Sequence, residues 1–223
     1  FCATGFLDDY WFHRSYWTYA RCFPGGWNGH LAAGRYNPSG RLLVSDDSTI
    51  YGYGRKPKYY RWMTSLEYRL FATARKNEPR DIFAWDHFKA AQAKRFPRMK
   101  LDKTLSPPIG EKALPKKPYD CKWEDSDPAL LVRAMVSTKT CLFVAGPKDI
   151  MDEQDYYFRN AAKGYEQLKV DLKRQSEIWK GKGGGLLHAV SKKDGTAIAK
   201  HKLDAIPIFD GMIAVEGKLF VSL

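Results

Sequence analysis

The sequence predicts an all-β chain: a β-propeller fragment of about three four-stranded antiparallel blades, with a helical insertion and a Pro/Lys-rich loop excursion. Three observations predict it. Residues 134–145, AMVSTKTCLFVA, and 211–222, GMIAVEGKLFVS, align without gaps, pairing Met135 with Met212 and Leu142-Phe143-Val144 with Leu219-Phe220-Val221. Each copy reads as a strand, a tight turn (STKT or VEGK) and a second strand. Removing a helical stretch between the copies leaves roughly 45 residues, about one four-stranded blade. A β-sandwich also strings short strands together, but the gapless copy favours the repeat.

Residues 1–75 are the first propeller segment. An aromatic stretch near 9–19 leads into the turns PGGWNG and NPSG, then strands at 41–45, 49–54 and 66–73. SGRLLVSDDSTIYGYG at 39–54 is a weaker third copy, with Leu42, Leu43 and Val44 in register. Residues 76–128 carry Pro79, Pro97, Pro107, Pro108, Pro115, Pro118 and Pro128 and read as an excursion, with a short helix in DIFAWDHFKAAQAKRF. Residues 129–223 return to blades. Within them, about 149–180 reads as helix, with Tyr165, Leu168, Leu172 and Trp179 near one face and a stop at GKGGG. LLHAVS, the turn KKDG and TAIAKHKL complete that unit.

Composition limits the function classes. A hydrophobic share of 44% supports a packed core and argues against global disorder. The formal net charge of +12 permits binding to polyanions. Lys100, Lys103, Lys112, Lys116, Lys117 and Lys122 concentrate much of it in the Pro-rich stretch, and no nucleic-acid-binding motif accompanies them, so no nucleic-acid partner is expected. No apolar run reaches the roughly 20 residues of a membrane span, so no transmembrane segment is expected. Cys2, Cys22, Cys121 and Cys141 form neither CxxC nor an adjacent pair. One disulfide can form in an oxidising compartment, and the spacing leaves its pairing open. The chain opens FCATGF and closes KLFVSL inside a predicted strand, which reads as a C-terminal piece of a longer protein.

The candidate ligand-binding residues lie in GFLDDYWFHRSYWTY at 5–19. On a strand, Asp9, Trp11, His13, Ser15, Trp17 and Tyr19 share one face, and Tyr10, Phe12, Arg14, Tyr16 and Thr18 the other. Either both faces pack between blades, or Asp9, Trp11, His13 and Arg14 line the mouth of a channel and bind a ligand. Aromatic rings beside carboxylates suit a sugar face, so a glycan-binding propeller is one alternative. Asp8 or Asp9 could orient His13 for proton transfer, but no residue is assigned a catalytic role. Asp46-Asp47 lack calcium-loop spacing and read as a turn. GYGRKP at 52–57 and GKGGG at 181–185 lack the pattern of a phosphate loop. His13, His30, His87, His188 and His201 show no zinc spacing.

At 187–222 the chain resembles the PQQ-like (pyrroloquinoline-quinone-type) β-propeller repeat proteins. Leu187, Ala189, Asp194 and Gly195 match the first half of that repeat, and Gly211, Gly217, Leu219, Phe220 and Val221 the second. Lys200-His201 stand where the family's docking Trp is expected. The resemblance implies a bacterial-envelope location: periplasmic, outer-membrane-associated or secreted. It implies a binding or scaffold module with a protein partner. Its alternative is part of a PQQ-dependent oxidoreductase holding PQQ with calcium.

Overall fold

The computed structural model describes residues 2–3, 17–19, 38–56, 59–60, 63–64, 67–75, 121–152 and 165–223. Asp9, Trp11, His13 and Arg14 lie outside the described residues. So do 76–120 of the excursion and 153–164 of the insertion.

The described strands are β1 (Cys2–Ala3), β2 (Trp17–Thr18), β3 (Ser39–Gly40), β4 (Leu42–Ser45), β5 (Thr49–Arg55), β6 (Tyr59–Tyr60), β7 (Met63–Thr64), β8 (Tyr68–Ala74) and β9 (Cys121–Asp125). They continue with β10 (Ala134–Ser137), β11 (Cys141–Gly146), β12 (Gly185–Ser191), β13 (Ala197–Leu203), β14 (Met212–Val215) and β15 (Lys218–Val221). One helix, α1 (Tyr165–Trp179), separates β11 from β12. Among the described residues the chain is therefore mostly β, and every strand pairing is antiparallel.

Two four-stranded sheets follow one another, ordered β4-β5-β8-β9 and β10-β11-β12-β13. Each adds strands in chain order, apart from the small β6-β7 hairpin set between β5 and β8. A third unit opens with the hairpin β14-β15, and β1-β2-β3 form a small separate sheet. The first sheet already contains β9, which pairs with β8 inside 76–128, the range the sequence assigns to the excursion. The Pro-rich composition upstream hides this strand: CKWED has alternating exposure but little apolar content.

The three hairpins share one register. Leu42 pairs with Tyr53, Ala134 with Ala145, and Met212 with Val221, which keeps the aligned positions opposite one another. The turns match as well: Asp46 N–H donates to Thr49 O at 3.0 Å and Thr138 N–H to Cys141 O at 2.9 Å. Asp46 closes its turn by accepting from the Ser48 and Thr49 amides at 2.9 and 2.8 Å, so Asp46-Asp47 make a turn as expected.

The main core lies between the two four-stranded sheets. Leu42, Tyr51, Tyr53, Leu70, Ala72 and Trp123 of the first sheet meet Met135, Leu142, Val144 and Val190 of the second, with Leu130 and Val132 between them. These residues alternate along their strands, so one face of each sheet is turned to the other. The first strands also pack in series: β4 against β10, and β10 against β14.

Trp123 locks the sheets together from the outer strand. Its indole Nε1–H donates to Lys192 O at 2.9 Å, in the turn between β12 and β13. Gly195 of that turn has φ +80°, and a Cβ there would lie 2.6 Å from the Trp123 ring. Only glycine satisfies both conditions. The sequence looks for a docking Trp at 200–201 of the same unit. Trp123, on the first four-stranded sheet, thus docks onto the β12-β13 turn of the second.

Candidate functional site

Each of the three hairpins is preceded by a charged residue: Arg41, Arg133 and Asp210. Backbone bonds fix all three. Arg41 N–H reaches Tyr53 O at 2.7 Å, Arg133 N–H reaches Ala145 O at 2.8 Å, and Asp210 N–H reaches Arg133 O at 2.8 Å. Because β4 and β10 start here and pack side by side, this is one end of the sheet stack. Asp46, Thr138 and Lys192 mark the opposite end.

At the starting end, Arg41 and Arg133 are buried, with 4% and 7% exposure. Both guanidiniums lie over the Trp179 ring, at 5.2 and 4.8 Å from its centroid. Arg41 also lies 5.3 Å from the Phe209 ring centroid. A weakly hydrated, planar guanidinium tolerates such burial against aromatic faces better than an ammonium would.

α1 delivers Trp179 as its last residue. Leu172, Gln175 and Trp179 share the inward face at i, i+3, i+7 spacing. Leu172 and Trp179 pack with Leu131. Gln175 is fully buried: its Oε1 accepts from Ile150 N–H at 2.8 Å, and its Nε2 donates to Lys148 O at 3.1 Å. The amide thus ties α1 to the segment leaving β11. An apolar-periodicity reading skips Gln175 because it is polar.

That segment also carries Asp149. Burial pushes its carboxyl up to about 7, and the nearby carboxylates of Glu67, Asp127 and Asp152 add to the rise. The Met151 amide, donating to Asp149 Oδ1 at 3.3 Å, opposes it only in part. Tyr53 stands alongside, its phenol pushed well above the usual range by burial and by the Asp149 charge. It donates to Leu130 O at 3.3 Å and stacks on Tyr68, with centroids 4.9 Å apart.

The opposite end holds a second polar cluster. Lys192 Nζ donates to Asp46 Oδ2 and to Thr138 O, both at 2.7 Å, and lies 5.1 Å from the Tyr51 ring centroid. Partial burial pushes the Asp46 carboxyl up, but the bonds from Lys192, Ser48 and Thr49 outweigh it and hold the group below the usual carboxylate range. One ammonium thus joins the turn of the first sheet to two turns of the second. His188, buried between Val144 and Lys200 on neighbouring strands, has its pKa lowered by burial and then by Lys200, which keeps it neutral at pH 7. Cys121 and Cys141 are thiols.

Of the sequence-predicted face at 5–19, the described part is Trp17 to Tyr19. Trp17 is exposed and Thr18 is fully buried, with Thr18 Oγ1 2.9 Å from Ser39 Oγ. The alternation holds there. Of the residues that the structure does bring together, Trp179 stood on the helix face read from the sequence, whereas Arg41, Arg133, Gln175 and Asp149 were not singled out. The available signal was Arg standing before the first strand in both RLLVS and RAMVS.

Comparison with family models, with curated proteins and with solved structures returns no match to this chain. Among the described residues no helix is long and apolar enough to cross a membrane.

PQQ with calcium would need a flat ring to stack on and a carboxylate beside it. The buried ring at the starting end, Trp179, is instead engaged by two guanidiniums.

Proposed function

We propose that this chain is part of a β-propeller that works as a non-enzymatic binding or scaffold module, of the PQQ-like repeat kind, in the bacterial envelope. One observation carries the reading: β10 packs between β4 and β14, so the first strands of three successive units stand in a row. A row of equal-register hairpins, each opening a meander, is what a propeller arranges around its axis. The Trp123–Gly195 dock supports it, since it joins one sheet to the next by an outer strand and a turn. Fold alone assigns no activity. The binding role rests on the insertion, where α1 is anchored by Gln175 and Trp179 on one side and exposes Val170 among Glu166, Lys169, Lys173 and Arg174 on the other. Its partner on this reading is a protein that docks on that outer face.

Titration of the protein with PQQ and calcium, read by tryptophan quenching and absorbance, tests the reading. The scaffold reading predicts no saturable change at tens of micromolar. Saturable, stoichiometric quenching overturns it in favour of the oxidoreductase. A saturable response to glycans favours the sugar-binding alternative instead.

A further inference from the structure

The segment that leaves β11 is held from two sides. On one side it pairs with the residues before β10. Leu131 N–H donates to Pro147 O at 2.9 Å, Asp149 N–H donates to Ala129 O at 3.2 Å, and Leu130 bridges Lys148. This pairing ends on Ala129, a strained non-glycine residue at φ 57°. On the other side Gln175 of α1 clasps the segment, accepting from Ile150 N–H and donating to Lys148 O. Asp149 stands between the two residues that Gln175 grips.

Four carboxylates converge here from separate stretches of chain. Asp149 faces Glu67, just before β8, Asp127, just after β9, and Asp152, three residues on. The charges that act on Asp149 most are thus all negative. β5 adds the Tyr53 phenol, which feels the charges of both Asp149 and Arg41. α1 turns the neutral Gln175 amide to the segment, and its Lys173 and Arg174 are exposed, as is Lys148. With Asp149 protonated, three negative groups meet; with it ionised, four do. Repulsion and lost hydration are then relieved by moving 148–150 toward water. That movement breaks both Gln175 bonds, which fall on the two neighbours of Asp149, and a buried amide cannot stay in place unpaired. α1 keeps only the Leu172 and Trp179 contacts.

We infer that Asp149 is a pH-operated latch: protonated, it lets Gln175 hold α1 on the sheets, and ionised, it frees the helix. The closed state holds a proton that the open state releases. Closure is therefore full below the ordinary aspartate value of 3.8, weakens as pH rises to about 7, and levels off above that. Between pH 5 and 8 the open fraction rises by at most about 90-fold, for an ordinary aspartate in the open state. The latch depends on α1 and its anchor alone, not on a propeller arrangement of the sheets.

Amide hydrogen exchange of the whole protein at pH 5 and 8, without urea and in about 1 M urea, tests it, with rates expressed as protection relative to free peptide. The amides of 174–179 should open locally: less protected than Leu142 and Val144 of β11, little changed by urea, and tens of fold less protected at pH 8 than at pH 5. Asp149→Asn keeps the acceptor for the Met151 amide and should remove the pH dependence. Glu67→Gln, outside the segment, should reduce it. Wild-type protection that does not fall with pH overturns the inference. So does a fall that Asp149→Asn retains, or amides of 174–179 that match β11 in protection and urea sensitivity, which makes the opening global.

Discussion

Replacing Asp149 by asparagine changes how stability depends on pH. In the folded protein the Asp149 carboxyl titrates near 7, against 3.8 for an ordinary aspartate, because it is buried and faces Glu67, Asp127 and Asp152. Between those two values the folded state holds a proton that the unfolded chain has released. Stability is therefore full below about pH 4, falls as pH rises through this window, and levels off above about 7. At 1.36 kcal/mol per pKa unit the whole window is worth at most about 4 kcal/mol, and relaxation around a half-buried group brings this to about 2–4 kcal/mol. The side-chain carbonyl of the Asp149→Asn variant keeps the acceptor for the Met151 amide and carries no charge. The assay is urea unfolding of both proteins at pH 4.5, 6 and 8. The wild type should lose about 2–3 kcal/mol relative to Asp149→Asn between pH 4.5 and 8, about 1 kcal/mol of the window having gone already by pH 4.5. Parallel pH profiles would refute the reasoning, because they would mean that Asp149 is not enclosed with other carboxylates.

Gly195→Ala forces a left-handed backbone on alanine and a Cβ into the Trp123 ring, so urea unfolding should show a loss of about 2–3 kcal/mol. Trp123→Ala should cost about 3–5 kcal/mol, and the double variant should cost less than the sum, because both break one contact. A double-mutant cycle of Asp46→Asn and Lys192→Met should return a coupling of about 1 kcal/mol that weakens with salt. The coupling should survive mild acid and disappear only in strong acid, because Asp46 takes up its proton below the usual carboxylate range. Trp179→Ala removes the ring between Arg41 and Arg133, so limited proteolysis should cut within 165–184 faster while the β-sheet circular dichroism persists.

Strand positions were legible where apolar alternation and turn chemistry agreed. LLVS, AMVS and GMIA each precede a polar turn, and all three form hairpins of equal register. The Asp46 turn was legible from an aspartate preceding Ser48 and Thr49, whose amides it caps. β9 was not, because Cys121, Trp123 and Asp125 give no run of β-branched residues and their pairing depends on β8, far back in the chain. Gln175 and the two arginines were not legible either. Periodicity ranks polar residues as surface, whereas burial of Gln175 is supported by two backbone bonds and that of Arg41 and Arg133 by aromatic rings that α1 and the 209 turn bring in. Trp123 as a dock shows the same limit. The turn KKDG shows a glycine, but the residue that needs it, Trp123, lies on another sheet.

The central claim is that successive four-stranded sheets pack face to face and are joined by Trp123 against Gly195. Nuclear magnetic resonance of the isotope-labelled chain tests it most directly. The account predicts nuclear Overhauser contacts between Trp123 ring protons and Gly195 Hα, with the Hα signals shifted strongly upfield by the indole ring. Gly195 Hα at ordinary shifts and without contacts to Trp123 would contradict the sheet-to-sheet packing, and with it the propeller reading.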